Sequence, residues 1–338
     1  MAHNIGTPTQ SLTLAEIEDL ATRVFAFNGC DATNAAALTR TVVSAERDGA
    51  LSHGLFRVPG YVASLRSGKV NGAADPGVQT ELAAVVRVDG DNGFTPLAIE
   101  RGIPVLADAA KRLGVAVLTI RRTHHFAALW PETEALAEQG LFGFACVNNI
   151  PVMAPHGGAS PLFGTNPLAW SWPRPGRPPV TCDMATSAMA HGDIQIAARE
   201  GEQLPLGCGV DAAGQPTTDP AAILAGSLLP FGGHKGSAMA LLVELLAGGA
   251  INEVFSYEAE AADNSDGGPV TGGEFILALA PELLAGDQWP SRCEAFFQRF
   301  EAMQGTRLPG AARHRKRSED STREVNRTLL AEIEALSR

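Results

Sequence analysis

What this chain lacks narrows it first. No apolar run is long enough to cross a bilayer; the most apolar stretch is Ala238–Ala247, well short of the roughly 20 residues a spanning helix needs. The five cysteines (Cys30, Cys146, Cys182, Cys208 and Cys293) are scattered, odd in number and form no CxxC pair. That is the pattern of reduced, mostly buried thiols in a cytoplasmic protein, not of a disulfide framework. Positive charge is in deficit, with 26 Lys and Arg against 37 Asp and Glu and a formal net charge of −11. The balance argues against a nucleic-acid surface and against an anionic membrane. Residues 1–12 hold no basic segment followed by an apolar core, so no signal peptide is expected.

Several chemical signatures are also missing. Without G-x-G-x-x-G after the first strand, a Rossmann site is unsupported. Lys235-Gly236-Ser237 follows glycines in the wrong order for a phosphate-binding P-loop. G-x-S-x-G is absent, and with it the nucleophile elbow of an α/β-hydrolase. HExxH is absent, and the adjacent His124 and His125 would point to opposite faces of a strand. No metal is therefore expected.

What is present is ordinary for a large globular chain: 338 residues, 45% apolar and 19% charged, with 36 glycines. Thr13-Leu14-Ala15-Glu16 is a capping box, and Leu14, Ile17, Leu20, Ala21 and Val24 follow at helical spacing. Asp31 can cap a second helix to about Arg47, and a third would open near Gly54 and end at Gly68. Val85–Val88 suits a strand, Asp91-Asn92-Gly93 a turn, and Pro96–Leu113 a helix. Val115–Ile120, Leu141–Val147, Val180–Met184 and Phe275–Ala280 read as strands, and Pro131–Gln139 and Ser187–Arg199 as helices. A long Gly- and Pro-containing loop spans Asn148–Pro167, which marks it as functional. An apolar helix is expected from about Ser237, an exposed acidic loop over 257–271, and closing helices over Ser291–Met303 and Thr322–Ser337.

Polar clusters punctuate these elements. Ser52-His53-Gly54-Leu55-Phe56-Arg57 offers a hydroxyl, an imidazole that titrates near neutrality and a guanidinium that can clamp a carboxylate. The same stretch could be no more than a helix entry with a capping serine. His124 and His125 end a strand, and either could be a satisfied strand-end histidine. Asp183 could serve as a cap, and Asp193 could face water. Gly232-Gly233-His234-Lys235-Gly236 opens a helix, where free N–H groups and the helix dipole favour an anion; a plain turn is the alternative. The basic run Arg313–Arg317 reads as a solvated tail.

In this order the clusters resemble the second type of malate/L-lactate dehydrogenase family, which is unrelated to the Rossmann lactate dehydrogenases. The matching pieces are Ser52-His53-Gly54 with Arg57 and Tyr61, His125-Phe126, Val152–Gly158, Gly164-Thr165-Asn166-Pro167, Asp183-Met184-Ala185-Thr186-Ser187, Thr218-Asp219-Pro220 and Gly232–Gly236. The segments His124–Pro131 and Ala190–Gly201 are most similar to members that reduce cyclic imino acids, Δ1-piperideine-2-carboxylate or Δ1-pyrroline-2-carboxylate.

The resemblance implies an α+β chain: a non-Rossmann NAD(P)-binding fold on a mostly antiparallel mixed sheet flanked by helices, with a helical N- and C-terminal domain. It implies a helical substrate and dimerisation domain from residues 1–115 with 285–338, and a cofactor domain over 116–284. It implies a homodimer and NADPH in preference to NADH. His53 resembles the proton donor, relayed by Ser52 and Asp193, and Arg57 and Thr165 resemble substrate contacts. His125, Phe126, Ala127, Ala128 and Leu129 resemble cofactor contacts, as do Asp183, Met184, Ala185, His234 and Lys235. The last such segment is Arg307, Leu308, Pro309, Gly310, Ala311, Ala312 and Arg313. Ala311 and Ala312 stand where polar residues are expected, which leaves Arg313 to hold a 2′-phosphate. A carboxylate at Asp193 would favour an imidazolium at His53. The alternative activity is a 2-hydroxy-acid dehydrogenase acting on malate, lactate, ureidoglycolate or a diketo sugar acid.

Overall fold

The computed structural model describes residues 8–319 and 322–338; part of the N-terminal stretch assessed for a signal peptide lies outside them. Strand β1 (Thr9–Thr13) runs into α1 (Leu14–Phe27), where Thr13 and Glu16 close the expected capping box. Helix α2 (Ala32–Asp48) starts at Asp31, whose carboxylate accepts the Asn34 N–H, and stops at Gly49 with φ 77°. The third helix is not continuous from Gly54. Two single 3-10 turns, Leu51–His53 and Leu55–Arg57, precede α3 (Val58–Ser67). Gly54 breaks the path at φ −95°, ψ −132°, and a buried Glu46 carboxylate takes the Leu55 N–H at 2.7 Å.

The middle of the chain supplies β2 (Gly77–Leu82), β3 (Val85–Phe94), α4 (Thr95–Leu113), β4 (Val115–His124), α5 (Trp130–Ala137), β5 (Phe142–Val147), β6 (Leu168–Trp172), β7 (Val180–Met184) and α6 (His191–Glu200). Then come β8 (Gly209–Val210), α7 (Pro220–Ala225), β9 (Ser227–Leu228), α8 (His234–Glu244), α9 (Ser256–Ala261), β10 (Thr271–Leu279), α10 (Pro281–Ala285) and α11 (Trp289–Glu301). The chain closes with α12 (Ala311–Glu319), β11 (Thr322–Asn326) and α13 (Arg327–Ala335).

A seven-stranded sheet has the order β2-β3-β4-β10-β5-β6-β7. Only β3 and β4 run parallel; the other neighbours are antiparallel. Leu106, Leu118, Leu136 and Ile276 belong to the core between this sheet and helices α4 and α5. Since β2 and β3 are part of the sheet, it reaches back before the boundary expected at residue 116. A separate core joins the N-terminal helices to α13 through Ile17, Phe25, Leu38, Tyr61, Leu330 and Ile333.

Three further expectations are corrected. Residues 322–326 form a strand, not the start of a helix: Arg323 and Val325 face inward and the segment pairs antiparallel with β1. Asp91 and Asn92 do not end β3 but form an irregularity within it, at φ 53° and 57°. The acidic stretch after Ser256 begins with a short helix, α9. The five cysteines are all free, and Cys30, Cys146 and Cys208 are buried. Among the described residues no helix is long and apolar enough to cross a membrane.

Candidate active site

The broken entry to α3 builds one wall of a cavity. Ser52 is buried, and its Oγ lies 3.1 Å from His53 Nδ1. Arg57 donates from Nε to the Ser52 carbonyl at 2.8 Å. Its guanidinium also lies over the rings of Phe126 and Phe56, at 4.7 and 5.3 Å from their centroids. One hydrogen bond and two aromatic faces thus fix the guanidinium, and among the described residues most of its donors take no hydrogen-bond partner. Across the cavity, Gly192 in the first turn of α6 packs against both residues. A Cβ there would stand 2.7 Å from Arg57 Nη2 and 3.0 Å from Ser52 Cβ.

The cavity has a volume of about 930 Å³. Ten of the expected site residues line it: Ser52, His53, Arg57, Ala128, Thr165, Asp183, Met184, Ala185, Asp193 and Arg313. They come from the two 3-10 turns before α3, the loop before α5, the Gly/Pro loop, the end of β7, α6 and α12. The other expected residues do not line it. His125 is buried, with Nε2 3.7 Å from Glu274. Phe126 supports Arg57 from behind, and Leu129 is fully buried. Ala127 is half-buried beside them. His234 and Lys235 are exposed at the head of α8, where the His234 and His156 rings are 6.2 Å apart. Arg307 is exposed, while Leu308 is buried. Pro309 gives its carbonyl to the Thr181 N–H at 3.2 Å, and Gly310, at φ 83°, packs on Thr181. Ala311 and Ala312 are exposed in the first turn of α12.

Electrostatics alters the expected role of Asp193. It is exposed, and among the described residues no hydrogen bond joins it to His53; its charge acts on Arg57. His53 is not held as an imidazolium in the free protein. Burial, then the positive charges of Arg57 and His125, push its pKa down to about 3. His191, also lining the cavity, falls to about 4 through burial and Arg57. Tyr61 is fully buried, its hydroxyl has no partner among the described residues, and burial raises its pKa.

Asp183 ends β7 inside the wall. Its Oδ2 accepts the N–H groups of Leu129 and Trp130 at 2.9 and 3.0 Å, so it caps α5 as well as lining the cavity. Burial raises its pKa against those two donors. Arg313 lies over the Trp130 ring at 4.5 Å and donates to Glu134 at 3.1 Å. Arg317 bonds both Asp48 and Glu134. The basic run is therefore a packed helix, not a solvated tail: buried acids on α2 and α5 draw it in.

Glu46, Asp48 and Glu134 escaped the sequence reading. A signal was available, because Glu46 and Asp48 sit in the last turn of α2, where the helix dipole disfavours acids. Acids at that end imply local partners, here Leu55 N–H and Arg317.

The family model described as malate/L-lactate dehydrogenase matches residues 12–334. The chain belongs to that family. Within it, a Δ1-pyrroline-2-carboxylate/Δ1-piperideine-2-carboxylate reductase from Pseudomonas syringae pv. tomato is 46% identical over 318 residues, covering 94% of this chain and 93% of the relative. A Δ1-pyrroline-2-carboxylate reductase from Ancylobacter novellus is 44% identical over 330 residues, 96% of this chain and 97% of the relative. The crystal structure of Δ1-piperideine-2-carboxylate reductase from Pseudomonas syringae superposes with a TM-score of 0.92 at 44% identity, covering 97% of this chain and all of that one.

Proposed function

We propose that this protein reduces cyclic imino acids with NADPH, converting Δ1-piperideine-2-carboxylate to L-pipecolate and Δ1-pyrroline-2-carboxylate to L-proline. The observation that carries the reading is the shared wall of Ser52, His53 and Arg57 facing a cavity of about 930 Å³. The cavity suits a dinucleotide beside a small acid. Ala128, Met184 and Ala185 offer it an apolar side, and Arg313 a cation at the edge. The fold that would hold the cofactor is a non-Rossmann one, with the sheet domain on the cofactor side and the helical domain on the substrate side. The bound nicotinamide would supply the hydride.

The residues of the chain supply position and the proton. Arg57 presents a planar fork to the substrate carboxylate, and the Thr165 hydroxyl lies within reach of the same cavity. His53 starts neutral because burial and Arg57 both oppose its protonation. A carboxylate bound to Arg57 cancels part of that opposing field, so substrate binding itself raises the proton affinity of His53. His53 then gives its proton to the ring nitrogen. Ser52 Oγ, against Nδ1, fixes the ring and its tautomer. Asp193 acts at a distance, through its charge on Arg57.

The reading includes NADPH over NADH, carried by Arg313, a cytoplasmic setting and a homodimer. Exposed Leu241, Leu242 and Leu245 at the end of α8 support the last of these. The direct test is product analysis. Incubation with NADPH and Δ1-piperideine-2-carboxylate, followed by chiral chromatography, is expected to yield L-pipecolate. Racemic product or none would overturn the proposal.

A further inference from the structure

Behind the cavity wall lies a polar group that the proposed reaction does not use. Glu274, on β10, is in register with Ile120 of β4 and Val147 of β5, in the sheet face that α4 and α5 cover. Glu132 reaches it from the first turn of α5, and His125 from just after β4. The three residues are 1%, 3% and 7% exposed, respectively. One donor atom from each lies within 4.8 Å of the other two. Among the described residues, both Glu274 oxygens, Glu132 Oε1 and His125 Nε2 have no hydrogen-bond partner.

Two ionised carboxylates cannot persist side by side in such surroundings, because each is desolvated and each repels the other. Among the described residues no lysine or arginine forms an ion pair with either one; the one basic group beside them is His125, 3.7 Å from Glu274. Something positive must sit between them. A divalent cation needs a fourth donor or an open water position, and among the described residues no fourth donor joins the three. A single proton needs neither, and it turns unpartnered oxygens into a carboxyl–carboxylate hydrogen bond, as like charges that share a site do.

We propose that Glu132 and Glu274 share one proton and, with His125, form a buried proton-holding site behind the cavity. Burial and mutual repulsion agree with this state. Glu274 is raised to about 8 and Glu132 well above the ordinary carboxylate range, while burial lowers His125 to about 4. The titratable groups that face the site are Asp183, which acts on Glu132, and Cys146, a neutral thiol whose pKa burial and then Glu274 raise. His125 in turn opposes protonation of His53. Burial alone lowers His125, whereas the pair's single negative charge, 3.7 Å from Nε2, favours a proton there. Glu132 and Glu274 thereby set the charge that His125 turns toward His53, and they are positioning residues for the proton donor. That role, unlike the shared proton, rests on the proposed function.

Infrared difference spectroscopy of the full-length protein, without substrate, tests the shared proton. At pH 7 a protonated-carboxyl C=O band that shifts in D2O is expected. Glu132→Gln and Glu274→Gln should each shift that component, because burial keeps the remaining carboxyl protonated, and replacing both should remove it, leaving any contribution from Glu46. Where either variant fails to fold, the double replacement Glu132→Leu/Glu274→Leu, which leaves no unpaired buried charge, should remove the same component. A spectrum unchanged by these replacements would overturn the proposal. So would one equivalent of tightly bound divalent metal in elemental analysis of the wild type. The pH profile of imine reduction gives a second reading: Glu274→Gln should move the limb due to His53 by about one pH unit. A protein without reductase activity would leave the infrared result standing.

Discussion

Gly192 and Arg57 touch across the cavity: a single methyl group on Gly192 would stand 2.7 Å from the guanidinium nitrogen Nη2. The head of α6 is thereby the other jaw of the carboxylate clamp. Gly192→Ala has no positive-φ strain to relieve, because Gly192 sits in a helix. Its effect is steric and local. The expected outcome is a KM for the imino acid raised roughly tenfold or more, the cost of a displaced charge-assisted bond. The melting temperature should stay within a few degrees of wild type.

His53→Ala should lower kcat by roughly 10²–10⁴-fold, the usual contribution of a positioned proton donor. NADPH binding, followed by fluorescence, should survive. Ser52→Ala should cost less, since the hydroxyl only orients Nδ1. Equal losses in the two variants would contradict the assignment of the proton to His53.

Arg57→Lys should behave nearly as badly as Arg57→Ala, with KM affected more than kcat. The stacking on Phe126 and Phe56 and the bond to the Ser52 carbonyl require a flat guanidinium. Steady-state kinetics of the two variants provide the check.

Glu46 gives a stability prediction with a definite sign. Burial raises its carboxyl from 4.5 to about 7. Between those values the folded protein keeps a proton that the unfolded chain has lost, so this contribution falls as pH rises. The His53 contribution runs the other way: its pKa is depressed from 6.5 to about 3, so stability is lost as pH falls through that window. Thermal melts of wild type and Glu46→Gln isolate the first effect. The advantage of wild type over the variant should shrink steadily from pH 5 to pH 8.

Arg313→Ala should raise the KM for NADPH by about tenfold while changing that for NADH much less, as expected for one lost phosphate contact. Because Arg313 also pairs with Glu134 and covers Trp130, a drop of a few degrees in melting temperature should accompany it. Parallel changes with the two cofactors would remove Arg313 from the recognition of the 2′-phosphate.

Local rules made the frame legible. The Thr13–Glu16 box, the Asp31 cap and the β-branched run Val115–Ile120 all appear where side-chain chemistry demands them. The site was legible as residue types: Ser52, His53, Arg57, Thr165 and Asp183 meet at one cavity. Long-range pairing was not. Nothing near Thr322–Asn326 announces that its partner is Thr9–Thr13, some three hundred residues earlier. Nor does Asp193 reveal from its position that it answers to Arg57 and not to His53. Charge states were the least visible. His53 looks like a ready acid until its burial and its positive neighbours are known, and Glu274 looks like an ordinary strand residue until its empty hydrogen-bonding partners are seen.

The most direct measurement is the ratio of kcat/KM for Δ1-piperideine-2-carboxylate to that for pyruvate and oxaloacetate, with NADPH as reductant. The account predicts a ratio of at least about 100 in favour of the imine, since a cavity that holds a cyclic imino acid leaves its groups unmatched by an acyclic keto acid. A keto acid turned over as well as the imine, or better, would contradict it.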